Sequence, residues 1–219
     1  MINFAGGGLH QIQINDNHWS NPILCQEMVV VKVLGILGSP CTDGNTAALL
    51  DAVLEGASKA GAEVERLNIT DLRIEACDSC GSCDSTGECG AKDDDMVMIY
   101  RKIREVDALV IASPIFFMSV TAQLKALIDR CQCFWIEKFV LERDPYKGRR
   151  RPRGLFVATA GSAKPIVFQS AIHVAKAFFI AVSYEYSGEV LLGETDKLSK
   201  SALEAALTMA RAAGKSLVD

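Results

Sequence analysis

From residue 29 onward the chain alternates between two kinds of hydrophobic pattern. VVVKVLGIL, at 29–37, is a short, nearly continuous, β-branched apolar run, as a strand buried on both faces requires. Leu49, Leu50, Val53, Leu54 and Ala57 then recur at helical spacing, and Gly61 is placed to end that helix. EVERLNI reads as a second strand. Met96, Ile99, Ile103 and Val106 form the apolar face of a helix capped by Asp94 or Asp95. DALVIASP is a third buried strand, followed by a helix with Leu124, Leu127, Ile128 and Cys131 on its inner face. GLFVATAG is a fourth strand, and Ile172, Ala175, Phe178 and Phe179 mark the next helix. SYEYSGEVLLG holds a fifth strand, and Leu203, Ala206, Leu207, Ala210 and Ala213 line a last helix. Residues 132–153, ending in KGRRRPR, show no period and are expected to be an irregular insertion. Residues 1–28, with Gly6, Gly7 and Gly8 and two of the three histidines, show none either. They read as an N-terminal arm, disordered or bracing an oligomer, or as lying upstream of an alternative start at Met28.

Five strands alternating with helices imply an α/β domain over 29–219, a parallel sheet wrapped by helices on both faces. The pattern fits a flavodoxin-like doubly wound five-stranded parallel sheet of order 2-1-3-4-5, here with a cysteine-rich loop after strand 2. In such a sheet a ligand lies beyond the carboxyl ends of strands 1 and 3.

The segments that follow those strand ends are therefore the first place to look for chemistry. After strand 1 come Ser39, Pro40, Cys41, Thr42, Asp43, Gly44, Asn45 and Thr46. Small and hydroxylated residues leading into a helix make a nest for phosphate, although an ordinary strand-to-helix turn has the same composition. The loop has no lysine and no G-x4-G-K-[ST], and no G-x-G-x-x-G is present, so a monophosphate such as that of FMN suits it better than ATP or NAD. After strand 3 come Pro114, Ile115, Phe116, Phe117, Met118, Ser119 and Val120; the adjacent aromatics either flank a flat ring or pack, with one of them expected in the core or an interface. After strand 4, Ala160, Gly161 and Ser162 form a small-residue loop that lets a ring edge approach the backbone or is a plain tight turn.

The other signal is CDSCGSCDSTGEC, in which Cys77, Cys80, Cys83 and Cys89 are spaced C-x2-C-x2-C-x5-C. Four thiolates this close can be gathered around one iron–sulfur cluster. They can also form a redox disulfide pair or bind zinc, although zinc sites more often use two separated C-x2-C knuckles. Asp78, Asp84, Glu88, Asp93, Asp94 and Asp95 surround the run, so a cluster here is expected to have a low potential, and the thiol pKa values to be raised. Cys131 reads as core and Cys133 as a stray thiol. Cys25 carries no signal, and neither do His10 and His18; His173 reads as a surface or packing residue of a helix. Lys125 and Asp129 read as an exposed helical pair or an interface contact.

GSPCTDGNT, CDSCGSCDSTGEC with the Asp94–Asp95–Met96 that follows, SPIFFMSVTAQLKALIDR and TAGS together resemble the NAD(P)H-dependent FMN reductase group of flavodoxin-like proteins, and within it the iron–sulfur flavoproteins of anaerobic archaea and bacteria. The resemblance covers about residues 29–192. It departs from the usual pattern at Phe116, where the group has Tyr, and at Cys41, where it often has Arg. It implies FMN held by Ser39, Pro40, Gly44, Asn45, Thr46, Pro114, Ile115, Phe116, Phe117, Ser119, Val120, Ala160, Gly161 and Ser162. It also implies a [4Fe–4S] cluster on Cys77, Cys80, Cys83 and Cys89. The activity it implies is electron exchange between cluster and FMN, with a ferredoxin-like donor and a quinone, an oxygen species or an oxidised metal as acceptor. No side chain need act as a catalytic acid or base. A homodimer or homotetramer that brings one subunit's cluster near a neighbour's FMN is implied as well. Two other outcomes stay open: a cluster-free NAD(P)H-dependent FMN or quinone reductase, and a non-enzymatic electron carrier.

Composition narrows the surroundings. The 219 residues carry a formal net charge of −4, which argues against nucleic acid as the main partner. No apolar run reaches the roughly 18 residues of a membrane span, and the N-terminus lacks a secretory pattern, so a cytoplasmic protein with no membrane partner is expected. Eight cysteines in a reducing compartment point to metal ligands or redox chemistry. Arg143, Lys147, Arg149, Arg150, Arg151 and Arg153 make 142–153 basic, either a solvated loop or a dock for an acidic ferredoxin.

Overall fold

A computed structural model describes residues 30–90 and 93–219. The expected arm at 1–28 lies outside the described residues. Five parallel strands, β1 (Lys32–Leu37), β2 (Glu63–Asn68), β3 (Ala108–Pro114), β4 (Arg153–Thr159) and β5 (Glu185–Leu192), form one sheet in the order β2-β1-β3-β4-β5. This is the flavodoxin-like order expected from the sequence. The helices are α1 (Asn45–Lys59), a single turn α2 (Cys83–Thr86), α3 (Met96–Glu105), α4 (Ala122–Arg130), α5 (Gln132–Phe139), α6 (Pro165–Ala181) and α7 (Lys200–Ser216).

Alternate strand residues feed two cores, because successive side chains point to opposite faces of a sheet. Leu34, Ile36, Leu109, Ile111, Phe156 and Ala158 pack on one face with residues of α3, α4, α5 and α6. Val33, Leu37, Val110, Ala112, Leu155 and Val157 pack on the other with α1 and α7. The helical positions read from the sequence are the ones that face inward: Leu49, Leu50, Val53, Leu54 and Ala57 on α1, and Met96, Ile99 and Ile103 on α3, are all buried. Gly61 follows α1 with φ +97, a left-handed residue past the helix end.

Helices α1 and α7 pack backbone to backbone. A Cβ at Gly214 would run into the Val53 carbonyl, and one at Gly56 into the Arg211 carbonyl. Overpacking of a fitted contact typically costs about 1–3 kcal/mol. Gly214→Ala is therefore expected to lower the thermal unfolding midpoint by several degrees, whereas alanine at the exposed Thr208 on the same helix leaves it close to the parent value.

One expectation is corrected. Residues 132–153 are not irregular throughout, since Gln132–Phe139 forms α5 and only 140–152 is irregular. QCFWIEKF is rich in aromatic, β-branched and cysteine residues of modest helix propensity, which hid the helix. Burial supplies what propensity does not: Cys133, Phe134 and Ile136 are buried, with Phe134 edge-on to Tyr100 at 5.7 Å and under the Arg104 guanidinium at 4.7 Å.

Candidate functional site

The carboxyl ends of β1, β3 and β4 lie side by side, and the three loops that leave them are tied together by hydrogen bonds. The Gly38 N–H donates to Ala112 O at 2.7 Å, and the Thr121 hydroxyl donates to Gly38 O at 2.6 Å. Ile115 N–H donates to Thr159 O at 2.7 Å. The Thr46 and Thr159 hydroxyls share a bond of 2.6 Å, both buried. The sequence residues picked for a ligand are thus brought to one edge of the sheet.

The first loop, 38–44, leads into α1. Its N-cap is Gly44, in extended backbone with no side chain bonded over the helix start. The first N–H groups of a helix lack intrahelical acceptors and favour an anion. Ser39 is buried and its Oγ accepts from Cys41 N–H at 3.1 Å, which folds the loop over the helix end. Pro40 is exposed, and Gly44 and Asn45 are half-buried. Because the Thr46 hydroxyl is engaged by Thr159, what Thr46 most directly offers an anion is its backbone N–H. Arg66, on β2 and outside every sequence motif, props the loop. Its guanidinium donates to both Asp51 carboxylate oxygens at 2.7 Å and to Thr42 O at 2.7 Å, and its Nε donates to Asn68 Oδ1 at 2.9 Å. A cation near the end of the strand beside β1 was the available signal.

The second loop turns tightly. Phe116 and Ser119 exchange backbone hydrogen bonds of 3.0 Å in both directions, and the residues between them, Phe117 and Met118, have φ +50 and +64. Two consecutive left-handed residues are a turn for Asn-Gly, and for residues with a Cβ this conformation costs on the order of 1–2 kcal/mol each. Such strain persists where the surroundings over-determine it and is frequent at ligand clamps. Neither phenylalanine is core, since Phe116 is 50% exposed and Phe117 is fully exposed, which leaves the ring-flanking and interface readings. Pro114, Ile115 and Ser119 are half-buried and Val120 is buried. The turn projects its aromatics outward because Ser113, Val120 and Thr121 anchor its base, with the Ser113 Oγ accepting from Thr121 N–H at 3.1 Å.

In the third loop Ala160 is buried, Gly161 exposed and Ser162 half-buried. A Cβ at Gly161 would lie 2.7 Å from the Asp196 carboxylate, so a larger residue there would have to displace that side chain. The uncapped start of α1, the projecting aromatic turn and this close-packed loop fit a flat ring carrying a single phosphate.

A second constellation stands on the α3–α4–α5 side. Between Leu72 and α2 the chain has no regular structure, and it turns through Ser79 (φ +55) and Gly81 (φ +73), then through Gly87 (φ +76) after α2. Cys77, Cys80, Cys83 and Cys89 all line one cavity of about 480 Å³, together with Asp129, Arg130 and Cys133. All four are free thiols, two exposed and two half-buried. Among the described residues no three Cys, His, Asp or Glu side chains converge on one ion. A zinc ion takes its thiolates to about 2.3 Å from a single point, whereas a cubane takes one thiolate at each of four iron corners around a volume. Four thiols lining one cavity are a donor set of the kind a cluster needs.

The floor of the cavity is a buried ion pair. Arg130 Nη1 donates to Asp94 Oδ2 at 2.6 Å and to Glu75 O at 3.0 Å, and its Nε donates to Cys89 Sγ at 3.3 Å. The side chains of Arg130 and Asp94 are 2% and 0% exposed. Burial alone would push the Asp94 carboxyl up, but hydrogen bonds from Arg130 and from the Glu75 and Met96 N–H groups outweigh it and hold the carboxyl below its ordinary range. Burial first, and the Asp84 carboxylate second, raise the Cys83 thiol. Cys131 is core, as expected. Cys133 is not a stray thiol: it is buried beside the cavity, with burial and the neighbouring Cys89 pushing its pKa up to about 11. The acidic surroundings are also less one-sided than their count implied. Asp94 is neutralised by Arg130, Asp93 faces Arg73 at 3.5 Å, and Asp95 accepts the Arg73 N–H.

Cavity and strand-end loops share no lining residue, and α4 connects them. Its N-cap Thr121 bonds Gly38 in the first loop, and its last residue Arg130 floors the cavity. Nine residues of helix correspond to about 13 Å of rise.

The basic segment divides. Arg151 is held by Asp144 at 2.5 Å and by Ser183 O, Arg153 donates to Ser216 O, and Arg143 reaches Thr86 O in the cysteine loop at 3.0 Å. Lys147, Arg149 and Arg150 are exposed. Lys125 and Asp129 form an exposed pair at 2.7 Å, and His173 is exposed on α6.

Among known proteins the chain is similar to an iron–sulfur flavoprotein of Archaeoglobus fulgidus, 38% identical over 62% of this chain and 57% of that protein. It is also similar to an iron–sulfur flavoprotein of Methanosarcina thermophila, 36% identical over 51% of this chain and 58% of that protein. The chain thus spans a little over half the length of these curated relatives. The fold is shared with an NAD(P)H:quinone oxidoreductase from Methanothermobacter marburgensis, with TM-score 0.62 and 20% identity over 86% of this chain and 97% of that one. It is shared likewise with an FMN-dependent NADH-azoreductase from Bacillus anthracis solved in complex with FMN, with TM-score 0.64 and 17% identity over 87% of this chain and all of that one. Residues 31–188, which carry β1 through the first half of β5 with both groups of candidate residues, match the NADPH-dependent FMN reductase family, and the chain belongs to that family.

Proposed function

We propose that this protein is an FMN-dependent oxidoreductase in which a [4Fe–4S] cluster on Cys77, Cys80, Cys83 and Cys89 exchanges single electrons with FMN seated on the loops after β1, β3 and β4. The observation that carries it is the gathering of all four cysteines around one cavity, on a fold whose strand-end loops are tied together away from that cavity. When bound, the flavin supplies one- and two-electron chemistry and the cluster supplies one-electron chemistry. The chain's own residues bind and orient. Backbone N–H groups at the start of α1 hold the phosphate, with Ser39 and Arg66 keeping that loop in shape. Phe116 and Phe117 cover the ring, and Gly161 lets its edge approach the backbone. The fit of these features to a flat phosphorylated ring, and the names of the iron–sulfur flavoprotein relatives, support the two cofactors.

Because α4 separates crevice from cavity within one chain, a homodimer or homotetramer that sets one subunit's cavity against another's crevice would shorten the electron path. A cytoplasmic location suits the number of free thiols; among the described residues no helix is long and apolar enough to cross a membrane. The acceptor class is a quinone, an oxygen species or an oxidised metal. A ferredoxin-like donor is favoured by the basic segment, since Arg143 links it to the cysteine loop and Lys147, Arg149 and Arg150 are exposed. Charge steering acts on association rate and is screened beyond about 8 Å at physiological salt. Arg149→Glu with Arg150→Glu should slow reduction by ferredoxin several-fold at low salt, with the difference closing as salt rises and reduction by a small neutral donor unchanged. Equal ferredoxin rates at low salt would refute the dock. Turnover with NAD(P)H by iron-free protein would favour the cluster-free reductase instead.

A further inference from the structure

We infer that Arg130 orients Cys89 as a cluster ligand and raises the reduction potential of the centre, against the acidic residues around it; this rests on the cluster proposed above. The side chain is 2% exposed and held at several points at once. Nη1 and Nη2 face the two Asp94 oxygens at 2.6 and 3.4 Å, Nη1 also donates to Glu75 O, and Nε donates to Cys89 Sγ at 3.3 Å. Its own carbonyl accepts from the Tyr100 hydroxyl at 2.9 Å, which fixes the end of α4 against α3. A guanidinium locked in this way aims Nε in one direction, and Cys89 lies in that direction.

Fold stability does not call for this arrangement. Replacing a buried ion pair by apolar groups of similar volume is often neutral or stabilising. Asp94 alone occupies two faces of the fork, so the donor aimed at the thiol is additional. Its consequence is electrostatic. Hydrogen bonds to the sulfurs and the local net charge set a cluster's potential. Adding one electron forms and breaks no covalent bond and places more negative charge on the sulfurs. An N–H···S bond from a buried cation strengthens as that charge grows, and a buried donor such as Arg130 is screened less than an exposed one. Arg130 therefore favours the form with one more electron, and Asp94 moderates the effect.

The test is an anaerobic potentiometric titration with dithionite, followed by electron paramagnetic resonance, on the parent, Arg130→Lys and Asp94→Asn, with iron content and thermal unfolding measured alongside. Lysine keeps the charge but cannot serve Asp94 and Cys89 together. Arg130→Lys is expected to retain iron and to lower the equilibrium constant for reduction about tenfold, about 59 mV for a one-electron couple. Asp94→Asn should shift it the opposite way. Iron lost from Arg130→Lys with the parent's unfolding midpoint would also support the positioning of Cys89. If Arg130→Lys fails to fold, Asp94→Asn decides, and an unshifted or lowered potential overturns the inference. So do unchanged potentials in both variants, or shifts of the same sign. A parent that holds no iron removes the cluster itself, and the inference with it, a result distinct from every variant outcome.

Discussion

Replacing any one of Cys77, Cys80, Cys83 or Cys89 by alanine is expected to remove most of the iron while flavin content stays close to that of the parent. The four thiols act as one unit because a cubane with an unfilled corner is exposed to solvent and lost, and because the loop that carries them has little structure of its own to hold a partial cluster. Flavin should be retained because none of the four belongs to the strand-end loops, and the nearest connection is the length of α4. Cys133 gives the internal control: it is buried beside the same cavity but lies outside the run, so Cys133→Ser should keep its iron. Iron and acid-labile sulfide per chain, measured beside flavin absorbance, check all five variants. Full iron in two or more of the alanine variants would remove the assignment.

The complementary expectation is that leucine at both Asn45 and Thr46 weakens FMN binding about ten- to a hundredfold while leaving iron in place. The hydroxyl pair between Thr46 and Thr159 ties the first loop to β4, and both groups are buried. Leucine at 46 leaves Thr159 without that partner and forces the start of α1 outward. Moving the first N–H groups of α1 off the phosphate forfeits hydrogen bonds to a charged group of about 1.5–3 kcal/mol each, and 1.4 kcal/mol is a factor of ten in affinity. Fluorescence titration of flavin-depleted protein with FMN measures the change. Unaltered affinity would move the phosphate away from the first loop.

Much of this architecture could be read from the order of residues. VVVKVLGIL and DALVIASP announce central strands because a parallel sheet covered on both faces tolerates only apolar runs, and both are central in the sheet. The strand-end loops were legible for the same reason, since topology alone says where a doubly wound sheet leaves its crevice. Helix α5 was not legible. QCFWIEKF has no clear period, and its helix is held by contacts from Tyr100 and Arg104 that lie some thirty residues earlier. Arg130 escaped for a related reason. At the end of LKALIDR it looks like a helix-terminal cation complementing the dipole, and nothing local shows that Asp94 and Cys89, 36 and 41 residues before it, close over it. Arg66 is the same case on the other loop. Charged residues whose partners are distant in sequence are where local pattern is least informative, and here they support both candidate sites.

The composition of the full chain purified without oxygen decides whether cluster and flavin are both present. About four iron, four acid-labile sulfide and one FMN per chain are expected, with a visible spectrum in which a broad shoulder extends to the red of the two flavin bands. Flavin with zinc, or flavin with neither iron nor sulfide after anaerobic preparation, would contradict that expectation.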